Sequence, residues 1–238
     1  MNFIKNIQKL PIEVQNIIKE FIIYKPKSRD ELHDTVNLWC EHKVEAVQKY
    51  GHISLWDTSL ITDMSRLFFK KNYFNDDISK WDVSNVTDME TIFYKCDIFN
   101  QPLNDWNVSN VTNMESMFEE ALSFNQPLHK WDVSNVENMY LMFWMACSFN
   151  QPLNNWDVSK VWIMSHMFAN CENFNQPLND WVVSNVKEMN YMFANCYNFN
   201  QPLDNWDVSN VKYMESIFSG AMVFNQDLND WNVNWEEN

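Results

Sequence analysis

From Trp56 to Trp231 the apolar positions of this chain return every 25 residues. Trp56, Trp81, Trp106, Trp131, Trp156, Trp181, Trp206 and Trp231 share one register. Parallel registers run from Phe74 to Phe224, Val83 to Val233, Met64 to Met214 and Phe68 to Phe218. Self-similarity at a fixed period of this length means one small unit stacked on copies of itself, each copy covering the apolar face of the next.

Within a unit the spacing of apolar residues changes once. Trp106 and Val108 are two apart and share a face if the segment from Leu103 to Val111 is extended, so a short strand is predicted there. Met114, Met117, Phe118 and Ala121 then follow at i, i+3, i+4 and i+7, the stripe of an amphipathic helix. Thr112 with Glu115, and Thr87 with Glu90, match capping boxes that would start such a helix near residue 112. Gln126-Pro127 would stop it, because proline disfavours helix at the residue before it. Strands pair about 4.8 Å apart and helices are roughly 10 Å across, so such an array must bend, with its strands on the concave side. The predicted fold is therefore an α/β curved solenoid of seven to eight strand-helix units over residues 51–238. A β-solenoid, with residues 112–122 as another strand, is the alternative.

Residues 1–50 lack the repeat. Pro11 suits a first helical turn and is followed by Ile12, Ile17, Ile18 and Phe21. Ser28-Arg-Asp-Glu31 is a further capping box, followed by Leu32, Val36, Trp39, Cys40, Val44 and Val47 as one helix up to Gly51. An amphipathic segment of this kind is an economical cover for the open end of an array, so residues 1–50 are predicted to be a helical cap.

The frame Leu-x-x-Trp-x-Val-x-x-Val-x-x-Met resembles the leucine-rich repeat. The blocks Phe-Asn-Gln-Pro-Leu and Trp-Asp-Val-Ser-Asn-Val resemble the 25-residue repeats of BspA-like surface proteins of mycoplasmas and other microbes, found also in giant viruses and protists. That resemblance spans about residues 51–235 and implies a leucine-rich-repeat-like interaction scaffold. The bacterial surface members carry a lipoprotein signal that this sequence lacks, its first cysteine being Cys40. Leu10-Pro11-Ile12-Glu13 with Ile17 and Ile18 resembles the opening of an F-box. The alternative it implies is an adaptor recruiting a ubiquitin ligase by holding a Skp1-type linker through residues 8–23.

Composition narrows the function. Of 238 residues 46% are apolar and 21% charged, enough apolar side chain to build a core. Gly51 and Gly220 are the only glycines, which leaves no Gly-rich phosphate loop, dinucleotide fingerprint or nucleophile elbow. The formal charge is -15, unevenly placed. Residues 1–50 hold 8 basic against 7 acidic side chains, and residues 51–238 hold 9 against 25. Such a surface repels nucleic acid and anionic lipid and attracts basic partners. No apolar stretch approaches the roughly 20 residues of a membrane span, and residues 1–24 lack the apolar core of a signal peptide. An intracellular location is the default expectation, host cytoplasm or virion if the source is viral.

Candidate chemistry is sparse. The five cysteines form no CxxC pair and the five histidines no zinc spacing, so no cofactor, metal site or catalytic group is predicted. The position after each tryptophan holds Asp57, Asp82, Asn107, Asp132, Asp157, Val182, Asp207 and Asn232. Stacked carboxylates could hold Ca²⁺, which gives a cation-dependent surface or adhesion module as a further alternative. The simpler reading is that these side chains accept local backbone hydrogen bonds. Because packing dictates the shared positions, a protein partner should be read by the exceptions on the concave polar face. Asp132, Asp157, Lys160, Trp162, Val182 and Asp207 are the predicted partner-binding set, with Lys160, Trp162 and Val182 at its centre. The expected function is non-enzymatic protein binding.

Overall fold

The computed structural model describes residues 9–14 and 23–231. Two helices open the well-described part, α1 (Arg29–Glu41) and α2 (Lys43–Tyr50), followed by a single 3-10 turn at Ile53–Leu55. The predicted cap of α1 forms. Ser28 accepts the Glu31 N–H and Glu31 reaches back to the Lys27 N–H at 2.8 Å. Leu32, Val36 and Trp39 are buried against the array as the stripe requires. The predicted single helix to Gly51 instead breaks at His42, whose backbone leaves the helical region. The break turns the following face, so Val44 and Val47 are exposed and Ala46 is buried in their place. Residues 12–14, after Pro11, are helical, with Ile12 and Val14 exposed. The rest of the helix predicted there, and most of the F-box-like segment 8–23, lie outside the described residues.

The repeat stacks with its 25-residue register intact, but its units are not strand and helix. Among the described residues no strand forms, and the coils join through single-residue parallel bridges running Asp63, Asp88, Asn113, Asn138, Ile163, Glu188 and Tyr213. Each coil is a chain of tight turns. In one of them Trp106 bonds to the Leu103 carbonyl, Val111 to Val108, Met117 to Met114, Glu119 to Ser116, Ala121 to Phe118 and Phe124 to Ala121. Between those turns, the N–H groups of Met114, Ser116, Phe118 and Glu120 donate to Asn138, Tyr140, Met142 and Trp144 in the next coil. A helix would have turned these donors inward along its own axis. The α/β strand-helix solenoid is thus overturned, and so is the leucine-rich-repeat architecture implied by the resemblance. The β-solenoid alternative also fails, since residues 112–122 hold turns and the single bridge residue Asn113 in place of a strand.

The helical stripe misled because turns closed by i to i+3 bonds return a side chain to the core after three residues, much as a helix does. Leu103, Trp106, Val108, Val111, Met114, Met117, Phe118, Ala121 and Phe124 are all buried. The capping boxes misled because their partners are taken. Asn113 Oδ1 accepts the Glu115 N–H at 3.1 Å, and the Thr112 hydroxyl donates to the Thr87 carbonyl of the previous coil. Curvature was inferred from a 10 Å helical layer that is absent. The Phe68–Phe218 rings stack at 5.5–5.7 Å, the Phe74–Phe224 rings at 5.8–6.1 Å. The tryptophan pairs from Trp131 to Trp231 stack at 6.2–6.5 Å.

Polar groups tie these columns together. Each indole from Trp81 to Trp231 donates to a carbonyl 28 residues back, as Trp156 does to Leu128 at 3.1 Å. Cys96, Cys171 and Cys196 donate their thiols to Phe68, Phe143 and Phe168 in the same way and are free. Burial raises the pKa of all three, which keeps them protonated donors. From Asn75 to Asn200 each amide oxygen accepts the backbone N–H of the asparagine one coil on, and also that coil's glutamine amide from Gln101 to Gln226. No helix among the described residues is long and apolar enough to cross a membrane.

Candidate functional site

The predicted partner-binding residues are all exposed, but most of them do structural work. Asp132, Asp157 and Asp207 each close a turn on the serine two residues on, at 3.0–3.1 Å. The Ser159 hydroxyl and then its N–H hold Asp157 below the usual carboxylate range, and Ser209 does the same to Asp207. Lys160 stands where other coils have asparagine, and it bonds back to Asn135 at 2.6 Å. Asn110 and Asn135 make an equivalent bond to the previous coil through their amides. Trp162 is 44% and Val182 57% exposed. Trp162 follows Asp157 by five residues, and Val182 holds the Asp157 position one coil on. Among the described residues, no three His, Cys, Asp or Glu side chains are grouped to hold a metal ion.

Val182 breaks the row of local caps, so the Ser184 N–H lacks the side-chain acceptor its counterparts have. Val182→Asp restores that acceptor and removes an exposed apolar group. It is expected to raise stability by about 0.5–1 kcal/mol, read as a higher urea midpoint with an unchanged slope.

The structure draws attention to a different face. Among the described residues thirteen non-glycine residues have positive φ, all between 52° and 62°. They form two columns on the turn side, Arg66, Thr91, Ser116, Leu141, His166, Tyr191 and Ser216, and Lys70, Lys95, Glu120, Met145, Asn170 and Asn195. Gly220 completes the second column. Each of these residues is third in its turn, the place where a type II turn wants glycine or asparagine. A left-handed conformation costs an ordinary residue about 1–3 kcal/mol, yet only Asn170 and Asn195 among the thirteen are asparagine. Between the columns run Phe69, Tyr94, Glu119, Trp144, Ala169, Ala194 and Ser219.

Chemistry on this face changes from coil to coil. In the first coil the Arg66 guanidinium lies 4.3 Å and the Lys70 ammonium 4.9 Å from the Phe69 ring centre. Phe69 stacks on Tyr94 of the next coil at 4.8 Å, with Lys95 over Tyr94 and paired with Glu120 at 3.1 Å. The third coil adds Glu115 and Glu119. Leu141, Trp144 and Met145 make the fourth apolar and half-buried. In the fifth, His166 stacks on Tyr191 at 4.9 Å and meets Tyr140 edge-on, and burial lowers its pKa. Aligning the sequence at its period exposes this variability, but only the backbone shows that these positions carry a conformational cost.

Burial, then repulsion from Glu115, raises the Glu90 pKa, and burial raises that of Glu119. A carboxylate with a raised folded pKa binds protons better folded than unfolded, so its penalty is relieved as pH falls through that window. Asp77 and Asp157, held below 3.8, act oppositely and lose their contribution as pH falls below it. His166 opposes this relief, because its lowered folded pKa costs stability as pH falls below about 6.5, so in His166→Gln the melting temperature in dilute solution is expected to rise as pH falls from neutrality towards about 5 and to fall below about pH 4. A steady decline from neutrality downward would contradict these assignments.

The chain belongs to a family of repeat proteins. The family model described as "Mycoplasma protein of unknown function, DUF285" matches it twice, over residues 39–156 and 145–238. A search among curated proteins returned no match.

Proposed function

We propose that the protein is a non-enzymatic interaction scaffold that reads a protein partner through the turn face rather than through the flank of the tryptophan column. One observation carries this reading. Thirteen left-handed positions hold arginine, lysine, leucine, methionine, tyrosine and other side chains where the backbone alone would favour glycine or asparagine. Strain retained in columns of changing chemistry is the mark of positions kept for what their side chains do. Membership of the repeat family and the likeness of the repeat blocks to BspA-like surface proteins support a binding role. Stacked coils offer such a role a long, rigid surface.

Affinity capture from cells of the source organism, with wild-type protein beside a Leu141→Asn, Trp144→Ser, Met145→Asn triple variant, tests the reading. Partners should be lost from the triple variant and retained by Lys160→Asn and Val182→Asp. The reverse pattern would return recognition to the tryptophan flank.

A further inference from the structure

At the basic corner of the turn face two cations share one aromatic ring. Around it, cations are neutralised. Lys43 pairs with Asp76 at 2.7 Å, Lys71 with Glu41 at 3.2 Å and Lys95 with Glu120 at 3.1 Å. Among the described residues, Arg66 and Lys70 enter no ion pair, although Glu90 is near enough to feel Arg66. Both are exposed, and both are set against one half-buried ring, Phe69. Their left-handed backbone at φ 62° and 59° makes either residue a costly choice at its position.

At the junction of the helical cap and the first coils lies an open hollow of about 360 Å³, lined by Lys70 itself, by Trp39, Tyr73 and Phe74, and by the Lys43–Asp76 and Lys71–Glu41 pairs. A hollow of that size accepts one apolar or aromatic side chain, and its two carboxylates are already paired.

We infer that this corner binds a short acidic segment of a partner protein, with two carboxylates on Arg66 and Lys70 and a neighbouring apolar side chain in the hollow. This rests on the turn face being the recognition surface. Two cations flanking one ring lie no more than about 9 Å apart. Alternate side chains on one face of an extended peptide are about 6.8 Å apart. The fitting pattern is Asp/Glu-x-Asp/Glu. Arginine grips a carboxylate through paired N–H bonds and lysine as a point charge, while the stacked rings hold both heads in place. Charge selects a short segment over nucleic acid. Beyond residue 98 the chain holds 17 acidic against 4 basic side chains, so a polyanion that overran the two cations would meet repulsion.

Peptide display on the intact, immobilised protein is the test, followed by affinity measurement of the selected peptides as synthetic probes. The expected result is enrichment of Asp/Glu-x-Asp/Glu next to an aromatic or aliphatic residue. Binding should weaken at least tenfold in Arg66→Asn, Lys70→Asn and in 0.5 M NaCl. Asparagine is at home in the left-handed region, so the double variant should melt at or above the wild-type temperature. Peptides without acidic enrichment, or equal binding of a 20-nucleotide single-stranded DNA, would overturn the inference. If binding resists this double variant but is lost with Leu141→Asn, Trp144→Ser, Met145→Asn, the inference fails and the turn-face reading stands. Binding indifferent to both sets would overturn both.

Discussion

Trp156→Ala is expected to destabilise the protein by about 4–6 kcal/mol, enough to unfold the central coils in mild denaturant. The indole is buried between Trp131 and Trp181, stacked 6.3 and 6.5 Å from each. Its N–H satisfies the Leu128 carbonyl at 3.1 Å. Removing it opens a cavity and takes one of two donors from that carbonyl, which keeps the Trp131 N–H, so most of the loss is the cavity. Trp156→Phe keeps most of the apolar area and should cost only about 1–3 kcal/mol, chiefly from the lost donor. Position matters as well. In a stack whose coils touch only their neighbours, an interior break divides the array and a terminal one merely frays it. Trp231→Ala, at a half-buried site in the last described coil, should therefore cost much less than Trp156→Ala. Urea titrations of the three variants check the ranking, and equal losses at Trp156 and Trp231 would count against a continuous spine.

The second large effect is polar. Asn150 Oδ1 accepts the Asn175 N–H at 3.0 Å and the Gln176 amide at 2.9 Å. Asn150→Ala orphans the Asn175 N–H and leaves the Gln176 amide only the Asn150 backbone carbonyl at 3.2 Å, and is expected to cost about 1–3 kcal/mol, although the site holds no apolar group worth that much. Gln176→Ala removes one donor and orphans nothing, so it should cost less than about 1 kcal/mol. The asymmetry between the two substitutions separates a coil-to-coil ladder from solvent-exposed amides, for which both changes would be nearly neutral.

The period and the core of this protein were legible in its sequence, because a buried tryptophan or phenylalanine needs an identical neighbour above and below it. Local conformation was not. Met114, Met117, Phe118 and Ala121 have the spacing of a helix stripe and are buried as one, yet their backbone alternates between turns within the coil and bonds to the next. Spacing cannot distinguish these, since both return to the core after three or four residues. The deciding factor is where the N–H groups of Met114, Ser116, Phe118 and Glu120 point, and that depends on a neighbouring coil.

The candidate site was legible only in part for a related reason. The exceptions at Lys160, Trp162 and Val182 stand out in an aligned repeat. So do those at Arg66, Leu141 and His166, but their significance depends on a left-handed φ that no residue type there announces. Glycine would have marked these columns, and only Gly220 does so. The polar cap reading of Asp132 and Asp157 came through because an aspartate two residues before a serine closes the same turn wherever it occurs.

Spin labels placed at Glu115 and Glu215, four coils apart on the turn side, test the architecture most directly. A stack held by bridges on that side puts coils roughly 5 Å apart, so dipolar spectroscopy should give a distance centred near 20 Å. A layer of helices there would space the same positions by about 40 Å, and a distance in that range would contradict the turn-built array.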